Sequence, residues 1–295
     1  MPKFAILEAP SILGLQPTGV DRLPETLLGA GLGTRLQARH AGRLEPRSPY
    51  SAELDPETRM LNPRAIAEYS RALADALGGV LDRGEFPVVL GGDCSILLGD
   101  MLALHRRGRY GLMFVDGHAD FYHPEANPNG QAASMDLALA SGRGPELVSN
   151  IEGRRPLVRD EDVVILGYRD AEEQASYGSQ PLPPALRAID LVELRRRGVD
   201  VAAQDAVGHL TRSGGASGGF WIHLDADVLD DAIMPAVDYR LPGGLSWDEL
   251  ARVLRAALRS GRAVGLEITI YNPSLDPDGS CGRTLAETVG AVLAG

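Results

Sequence analysis

The chain has 295 residues with an ordinary globular composition, 44% hydrophobic and 23% charged, and is long enough to bury a sizeable core. Its 40 acidic residues outnumber 29 lysines and arginines, for a formal net charge of −11. This balance argues against nucleic acid or an anionic membrane as a partner, because both bind basic surfaces. The two cysteines, Cys94 and Cys281, make no disulfide framework and fit a reducing compartment, so we expect a cytoplasmic protein.

Apolar runs in the sequence predict a parallel sheet. The first strand is expected at 3–7, since Glu8 and Pro10 interrupt the N-terminal stretch and a signal peptide's basic start is lacking. Further strands are predicted at 87–91, 110–115, 162–167, 219–225 and 263–268. Helical spacing predicts helices at 64–83, 95–106, 172–177, 190–197, 247–260 and 283–293. The strands lack a polar face, so helices must cover both sides of the sheet in a single domain, 1–295. No apolar run reaches membrane-spanning length.

Three polar clusters follow predicted strands: GGDCS at 91–95, DGHAD at 116–120 and LDADVLDD at 224–231. Ligands bind beyond the carboxyl ends of the strands in an open parallel sheet, so we expect the clusters to share one edge. Alternate residues of a strand point to the same side, which lets each cluster converge on one point. The converging side chains are Asp116, His118, Asp120, Asp225 and Asp227.

These residues predict a metal site. Carboxylates with one imidazole form a hard, oxygen-rich ligand set that suits Mn²⁺ or Mg²⁺ better than the thiolate sites of structural zinc. The acidic charge of the set is balanced by two divalent ions, and two adjacent ions can activate a shared water. One aspartate at a strand end is usually a turn former. The combined D-x-H-x-D and D-x-D patterns favour a binuclear site instead.

The clusters, with PGGLS at 242–246 and GLEITIYNP at 265–273, resemble the signature segments of the ureohydrolase family, which contains arginase, agmatinase and formimidoylglutamase. The resemblance spans nearly the whole chain. It implies an α/β fold of three layers, α/β/α, around a mostly parallel sheet of about eight strands. It also implies two Mn²⁺ ions, a homo-oligomer (trimer or hexamer), and cleavage of a guanidino or amidino C–N bond in a small nitrogenous substrate by a metal-bridging hydroxide.

The resemblance also assigns roles to individual residues. Asp116 and Asp225 match the bridging metal ligands, and Asp120 matches a ligand that orients the hydroxide and accepts a proton. The segment GYRDAEE at 167–173 resembles a family segment that puts Glu172 near the substrate mouth. Alternatively, Glu172 has no substrate role and is an exposed acid at the start of a helix. The remaining matching metal ligands are His118 and Asp227.

Two departures from the family affect the metals. Cys94 stands where the family usually has a histidine ligand, so that site is either weak or prefers a softer divalent ion such as Zn²⁺ or Fe²⁺. Alternatively, Cys94 is not a ligand and packs as a small buried apolar side chain. His223 replaces a usual serine and faces the same side as Asp225. It either supplies the missing imidazole as a metal ligand or is a core histidine bonded to backbone.

Two further departures affect the substrate. Ala133 occupies a position where arginases keep a histidine, and nearby His123 is either a proton shuttle or a solvated loop residue. Ile270 replaces a glutamate that pairs with the guanidinium, which removes a strong specificity contact. A cationic substrate would then be held by another acid, such as Asp136 or Glu172, although Asp136 could simply cap a turn.

Three functions are therefore compatible with the sequence. The leading one is a metal-dependent hydrolase of the ureohydrolase type. The second is hydrolysis of a different C–N bond, in a formimino group, an amidine or an amide. The third is a non-catalytic metal-binding protein that kept the fold. Ala133 and Ile270 favour the third function, but a set of converging acids that holds two ions usually performs chemistry.

Overall fold

The computed structural model describes residues 2–295 and contains one sheet of eight strands, all paired in parallel. The strand order is β2-β1-β3-β8-β7-β4-β5-β6. The strands are β1 (Phe4–Ala9), β2 (Arg39–Arg43), β3 (Phe86–Gly91), β4 (Gly111–Val115), β5 (Val163–Leu166), β6 (Arg187–Ile189), β7 (Phe220–Asp225) and β8 (Ala263–Thr269). All six predicted strands are present, each within two residues of its expected bounds.

Between residues 2 and 295, eleven α-helices accompany the sheet. The six predicted helices are confirmed. They are α3 (Pro63–Leu81), α4 (Leu97–His105), α7 (Ala171–Ser176), α8 (Leu191–Arg197), α10 (Trp247–Arg259) and α11 (Ser280–Leu293). Five helices were not predicted: α1 (Leu23–Gly29), α2 (Leu32–Leu36), α5 (Asp136–Ala140), α6 (Glu146–Ser149) and α9 (Val199–Leu210).

The sheet is buried on both faces, as the apolar runs predict. Along β3, Val88 and Leu90 pack into one core while Val89 packs into the other, because successive strand residues point to opposite faces. The first core contains residues of α1, α2 and α8–α11, and the second contains residues of α3–α6. The three-layer α/β/α fold is therefore confirmed. Within residues 2–295, no helix is long and apolar enough to cross a bilayer.

The strand order decides where the polar clusters meet. The last strand, β8, lies between β3 and β7, and β4 lies on the other side of β7. The loops after β3, β4 and β7 therefore leave one edge of the sheet, with the end of β8 between them. The cluster at 91–95 is thus brought to the same place as the clusters at 116–120 and 224–231.

Candidate metal centre

Each acidic residue at a strand end holds the turn that follows it. The Asp116 Oδ1 atom accepts a hydrogen bond from the His118 backbone N–H at 2.7 Å. In the same way, Asp225 Oδ1 accepts from the Asp227 N–H at 2.7 Å. One oxygen of each carboxylate thus fixes the local backbone, as expected of aspartate in such turns, and the second oxygen faces the centre. Turn formation and ligand function are therefore compatible.

The first group of ligand candidates, the His118 cluster, consists of Asp116, His118 and Asp227, whose ligand atoms lie within 4.8 Å of one another. The His118 Nδ1 atom is 2.9 Å from Asp227 Oδ2 and 3.8 Å from Asp116 Oδ1. Two carboxylates and an imidazole form a donor set that suits Mn²⁺.

A second group, the Cys94 cluster, consists of Cys94, Asp136 and His223, again with ligand atoms within 4.8 Å. All three residues are buried. The Cys94 thiol donates to Asp225 Oδ2 at 3.0 Å and contacts Thr269 Oγ1 at 3.3 Å. A third combination of Asp116, His223 and Asp225 satisfies the same distance limit, so the two clusters form one continuous centre.

His223 is held by a carboxylate, and not by the backbone as one interpretation of the sequence proposed. Its Nδ1 atom lies 2.8 Å from Glu267 Oε1, and its ring stacks on Phe114 at a centroid distance of 4.3 Å. The Nε2 atom is 3.6 Å from Asp116 Oδ2, which is too long for a hydrogen bond. A carboxylate on one ring nitrogen with the other nitrogen free is the usual arrangement behind a metal-binding histidine.

The electrostatics of the centre show an excess of buried negative charge. Burial and the charge of Asp227 raise the pKa of Asp116 to about 6. Burial opposes a proton on His118, but the charges of Asp227 and Asp116 outweigh it and raise the pKa of His118 to about 10. Burial, with the charge of Asp225, raises the pKa of the Cys94 thiol well above its usual range. Protons compensate the charge wherever no cation does.

Several buried ligand atoms fit a bound cation. Asp116 Oδ2, Asp136 Oδ2 and His223 Nε2 have no hydrogen-bond partner among the described residues. Buried polar atoms without partners are rare in native proteins because each costs free energy. A divalent ion would satisfy all three atoms and reduce the repulsion between the carboxylates.

A cavity opens over the centre, and its floor is formed by Cys94, His118, Asp120, Asp225 and Asp227. The walls contain three tyrosines and one acid, and the described chain contributes no lysine or arginine to them. Polar amide and hydroxyl groups complete the lining, together with the apolar side chains of Leu15, Ala126, Pro128, Ala133 and Ile270. The wall residues are Tyr122, Tyr177, Tyr239, Glu173, Asn127, Asn129 and Ser134.

Six of the seven predicted metal ligands belong to these clusters, and the seventh, Asp120, lines the cavity over them. Three other predicted residues lie away from the cavity lining. His123 pairs through Nδ1 with Glu125 Oε2 at 2.7 Å and does not line the cavity. Glu172 is exposed on α7, and its neighbour Glu173 lines the cavity in its place. Asp136 is fully buried beside Cys94 and His223, so it cannot face a substrate in the cavity.

Some residues of the centre were not foreseen from the sequence. Thr269 contacts the Cys94 thiol, and its position at the end of β8 was the available signal. Asp170 accepts a hydrogen bond from the Ala119 N–H at 3.1 Å and thereby fixes the loop that carries His118 and Asp120. The wall tyrosines come from separate loops, and no spacing in the sequence links them.

The fold and this centre define a class: an α/β/α protein with candidate divalent-metal ligands at the carboxyl edge of a parallel sheet. The Arginase family model matches residues 3–294, so the chain belongs to the arginase family.

Relatives match along almost the entire chain. Arginase of Bacillus subtilis strain 168 is 28% identical over 297 residues, covering 98% of this chain and 97% of the relative. Arginase of Bacillus caldovelox is 27% identical over 299 residues, covering 99% and 98%. The solved structure of the Bacillus caldovelox enzyme at pH 5.6 superposes with a TM-score of 0.88 at 26% identity, covering 99% of this chain and 98% of that one. The chain is thus a divergent family member, related to ureohydrolases that act on C–N bonds.

Proposed function

We propose that the protein is a metal-dependent hydrolase that cleaves a guanidino or amidino C–N bond in a small cationic substrate. The observation that carries this proposal is the His118 cluster with Asp225 and Asp120 beside it at the floor of an open cavity. Manganese is the metal expected from the family, with two ions per chain.

The chain's own residues support binding of a cation. Tyr122 and Tyr177 form an edge-to-face pair with ring centroids 6.3 Å apart, and Glu173 lies in the same cavity. Aromatic faces attract cations, and an acid adds charge complementarity. Because no described lysine or arginine lines the cavity, a cationic end meets no like charge there.

Asp120 is the residue best placed to move a proton. It lies at the cavity floor, and its backbone has a φ of 44°, in the left-handed region that aspartate tolerates. Burial and neighbouring acids raise its pKa well above the ordinary range, so this carboxylate holds a proton more readily than an exposed aspartate does, as a general acid or base requires. The divalent ions, when bound, supply Lewis-acid activation of water and of the scissile group.

A second candidate function is hydrolysis of another C–N bond, such as that of an amidine or a formimino group. Ile270 favours it, because this side chain lines the cavity where the family's glutamate would pair with a guanidinium. An isoleucine cannot form a charge-assisted hydrogen bond, so the scissile group need not be an ordinary guanidinium.

The family and the structure support further proposals on organisation. One sheet runs through the whole described chain, which supports a single domain over residues 1–295. We also propose that the protein is a trimer or hexamer and acts in the cytoplasm.

A substrate screen tests the function. Protein loaded with Mn²⁺, either alone or with one equivalent of Zn²⁺, is incubated with arginine, agmatine, a formimino amino acid and simple amidines, and released urea and ammonia are measured. We expect metal-dependent release from at least one class. Release of neither product from any compound by fully loaded protein would contradict the hydrolase proposal and favour a protein that only binds metal.

A further inference from the structure

The Cys94 cluster has a different chemical character from the His118 cluster. Its ligands come from three separate elements: Cys94 follows β3, Asp136 begins α5 and His223 lies within β7. All three side chains are at most 1% exposed. Three elements thus contribute a thiol, a carboxylate and an imidazole to one buried point, with ligand atoms within 4.8 Å.

Two of these residues have an unused ligand atom. The Asp136 Oδ1 atom accepts from the Leu137 N–H at 2.7 Å, and Oδ2 has no partner within residues 2–295. His223 is fixed through Nδ1 by Glu267 Oε1 at 2.8 Å, and its Nε2 atom is likewise free. A buried carboxylate oxygen beside a free imidazole nitrogen is costly unless something binds both.

The donor set selects a borderline ion. Thiolate and imidazole ligands favour Zn²⁺ and similar ions, whereas carboxylates alone favour Mn²⁺ or Mg²⁺. Zinc bonds of about 2.0–2.3 Å in tetrahedral geometry place ligand atoms roughly 3.5 Å apart. The ligand atoms lie within 4.8 Å of one another, so an ion that binds all three draws them closer by at most about 1.3 Å.

We propose that Cys94 Sγ, Asp136 Oδ2 and His223 Nε2 bind a borderline divalent ion of the zinc type, while the His118 cluster binds Mn²⁺, so that the centre holds two different metals. The thiol proton, now donated to Asp225, leaves to solvent as the ion binds, because the thiolate is the metal-binding form. The inference rests on the proposed function, since the second metal serves the same centre. It also changes the role of Asp136 from substrate binding to metal binding.

Cobalt(II) is the probe for this site, because a thiolate ligand to Co²⁺ gives a near-ultraviolet charge-transfer band. Metal-free protein is titrated with Co²⁺, and in a separate sample bound metal is measured after adding one equivalent of Zn²⁺ and an excess of Mn²⁺, because free Zn²⁺ in excess would displace Mn²⁺ from both positions. We expect the thiolate band in the unmodified protein and one zinc with one manganese per chain. Absence of the band, or manganese in both positions in the presence of zinc, would overturn the proposal.

Variants identify the ligands. Cys94→Ser should abolish the band, and Asp136→Asn and His223→Gln should each weaken Co²⁺ binding by at least about 10–100-fold, the range found for groups that merely support metal ligands. Cys281→Ser is the matched control, because this other buried thiol lies outside the ligand clusters found among residues 2–295. A band that persists in Cys94→Ser would refute the assignment, whatever the stability of the other variants.

Turnover of the screened substrates, measured on the same samples, separates this inference from the function. Turnover with two manganese ions and no thiolate band would refute the mixed-metal site and leave the hydrolase standing. A thiolate band without turnover on any substrate would support the mixed-metal site and contradict the hydrolase proposal.

Discussion

Asp227 shows at the scale of one residue how a ligand is kept in place. Its Oδ1 atom accepts from the Gly117 N–H at 3.1 Å, and Oδ2 lies 2.9 Å from His118 Nδ1. Arg169 Nη2 also donates to the Asp227 carbonyl at 2.9 Å, so backbone and side chain are both fixed. The carboxylate is therefore held in position before a metal binds. A substitution to asparagine removes its negative charge and changes little else.

We predict that Asp227→Asn lowers Mn²⁺ affinity and hydrolysis by at least about 100-fold, because even groups that only support metal ligands contribute 10–100-fold. The asparagine oxygen can still accept from Gly117, so the fold should persist. Bound metal and product release are the measurements. Asp231→Asn is the control, since Asp231 pairs with Arg240 at 3.2 Å outside the centre. Equal activity of the Asp227 and Asp231 variants would exclude Asp227 as a ligand.

Ile270 combines an unusual conformation with an unusual identity. Its φ of 68° is costly for a β-branched residue, and its side chain lines the cavity. We predict that Ile270→Glu raises kcat/KM for guanidinium substrates relative to amidines by about 10–100-fold, the value of a charge-assisted hydrogen bond. Ile270→Gln is the uncharged control. A glutamate variant with the same substrate preference as Ile270→Gln would show that this position does not select the scissile group.

At the scale of elements, the loop after β3 fits between two neighbouring segments. The Asp93 N–H donates to the Ser11 carbonyl at 2.9 Å, and the Ile270 N–H donates to the Gly92 carbonyl at 2.9 Å. A Cβ atom on Gly92 would lie 1.9 Å from Ser11 O. Glycine is required here because backbone, which cannot rotate away, occupies the space.

We therefore predict that Gly92→Ala lowers the free energy of unfolding by about 3 kcal/mol or more, as overpacking does when the neighbours cannot move. Denaturant unfolding measures it. Gly79→Ala is the control, because a Cβ on Gly79 of α3 would meet nothing within 4 Å and alanine favours a helix. Similar losses in both variants would show that the β3 loop is not tightly constrained.

The strands and helices that were not predicted have sequences with little hydrophobic periodicity. The edge strands β2 and β6 are short and contain Arg39, His40, Arg43 and Arg187. Charged residues are common on edge strands because they discourage pairing with another chain. These strands have no apolar run and depend on pairing with β1 and β5. Helix α9 is rich in small residues, and its N-cap residue, Gly198, provides no side-chain hydrogen bond.

Site residues at the ends of strands could be predicted from the sequence, whereas residues positioned by longer loops could not. The ligands at the ends of β4 and β7 follow from the rule that parallel strands share an edge. Asp136 and Glu173 reach their places through the loop after β4 and the one after β5, whose paths no periodicity encodes. Proximity along the chain gave a substrate role to Asp136, and the family resemblance gave one to Glu172. Tertiary packing instead buries Asp136 and turns Glu173 to the cavity.

At the scale of the whole molecule, metal loading should depend on pH. His118 holds a proton up to its pKa of about 10, and a metal must displace that proton. We predict that Mn²⁺ affinity rises about tenfold per pH unit between roughly pH 6 and pH 8. Below the Asp116 pKa of about 6 a second proton competes, so affinity should fall more steeply.

Competition with a metal-sensitive dye across this range measures the slope. Asp227→Asn is an informative control, because Asp227 is the largest of the charges that raise the pKa of His118. In this variant, Mn²⁺ affinity should change less steeply with pH near neutral pH. Affinity that does not vary with pH in the unmodified protein would exclude His118 as a ligand.

Metal removal should also destabilise the whole molecule. A ligand at about 100 times its Kd stabilises the folded state by about 2.7 kcal/mol, which corresponds to roughly 5–10 °C in Tm for a domain of this size or slightly smaller. We predict a decrease of that order when a chelator is added, measured by calorimetry, with recovery on adding Mn²⁺. Asp227→Asn should show a smaller decrease. A chelator without effect on the unmodified protein would contradict a metal that supports the fold.

The position of β8 has a consequence for folding. This strand joins β3 to β7 in the middle of the sheet, yet it follows the other seven described strands along the chain. Until β8 pairs with both neighbours, the segment carrying Cys94 and the segment carrying Asp225 belong to separate halves of the sheet that no strand connects. The centre is therefore complete only when β8 is in place, so a change that weakens this strand should disturb metal binding as well as stability.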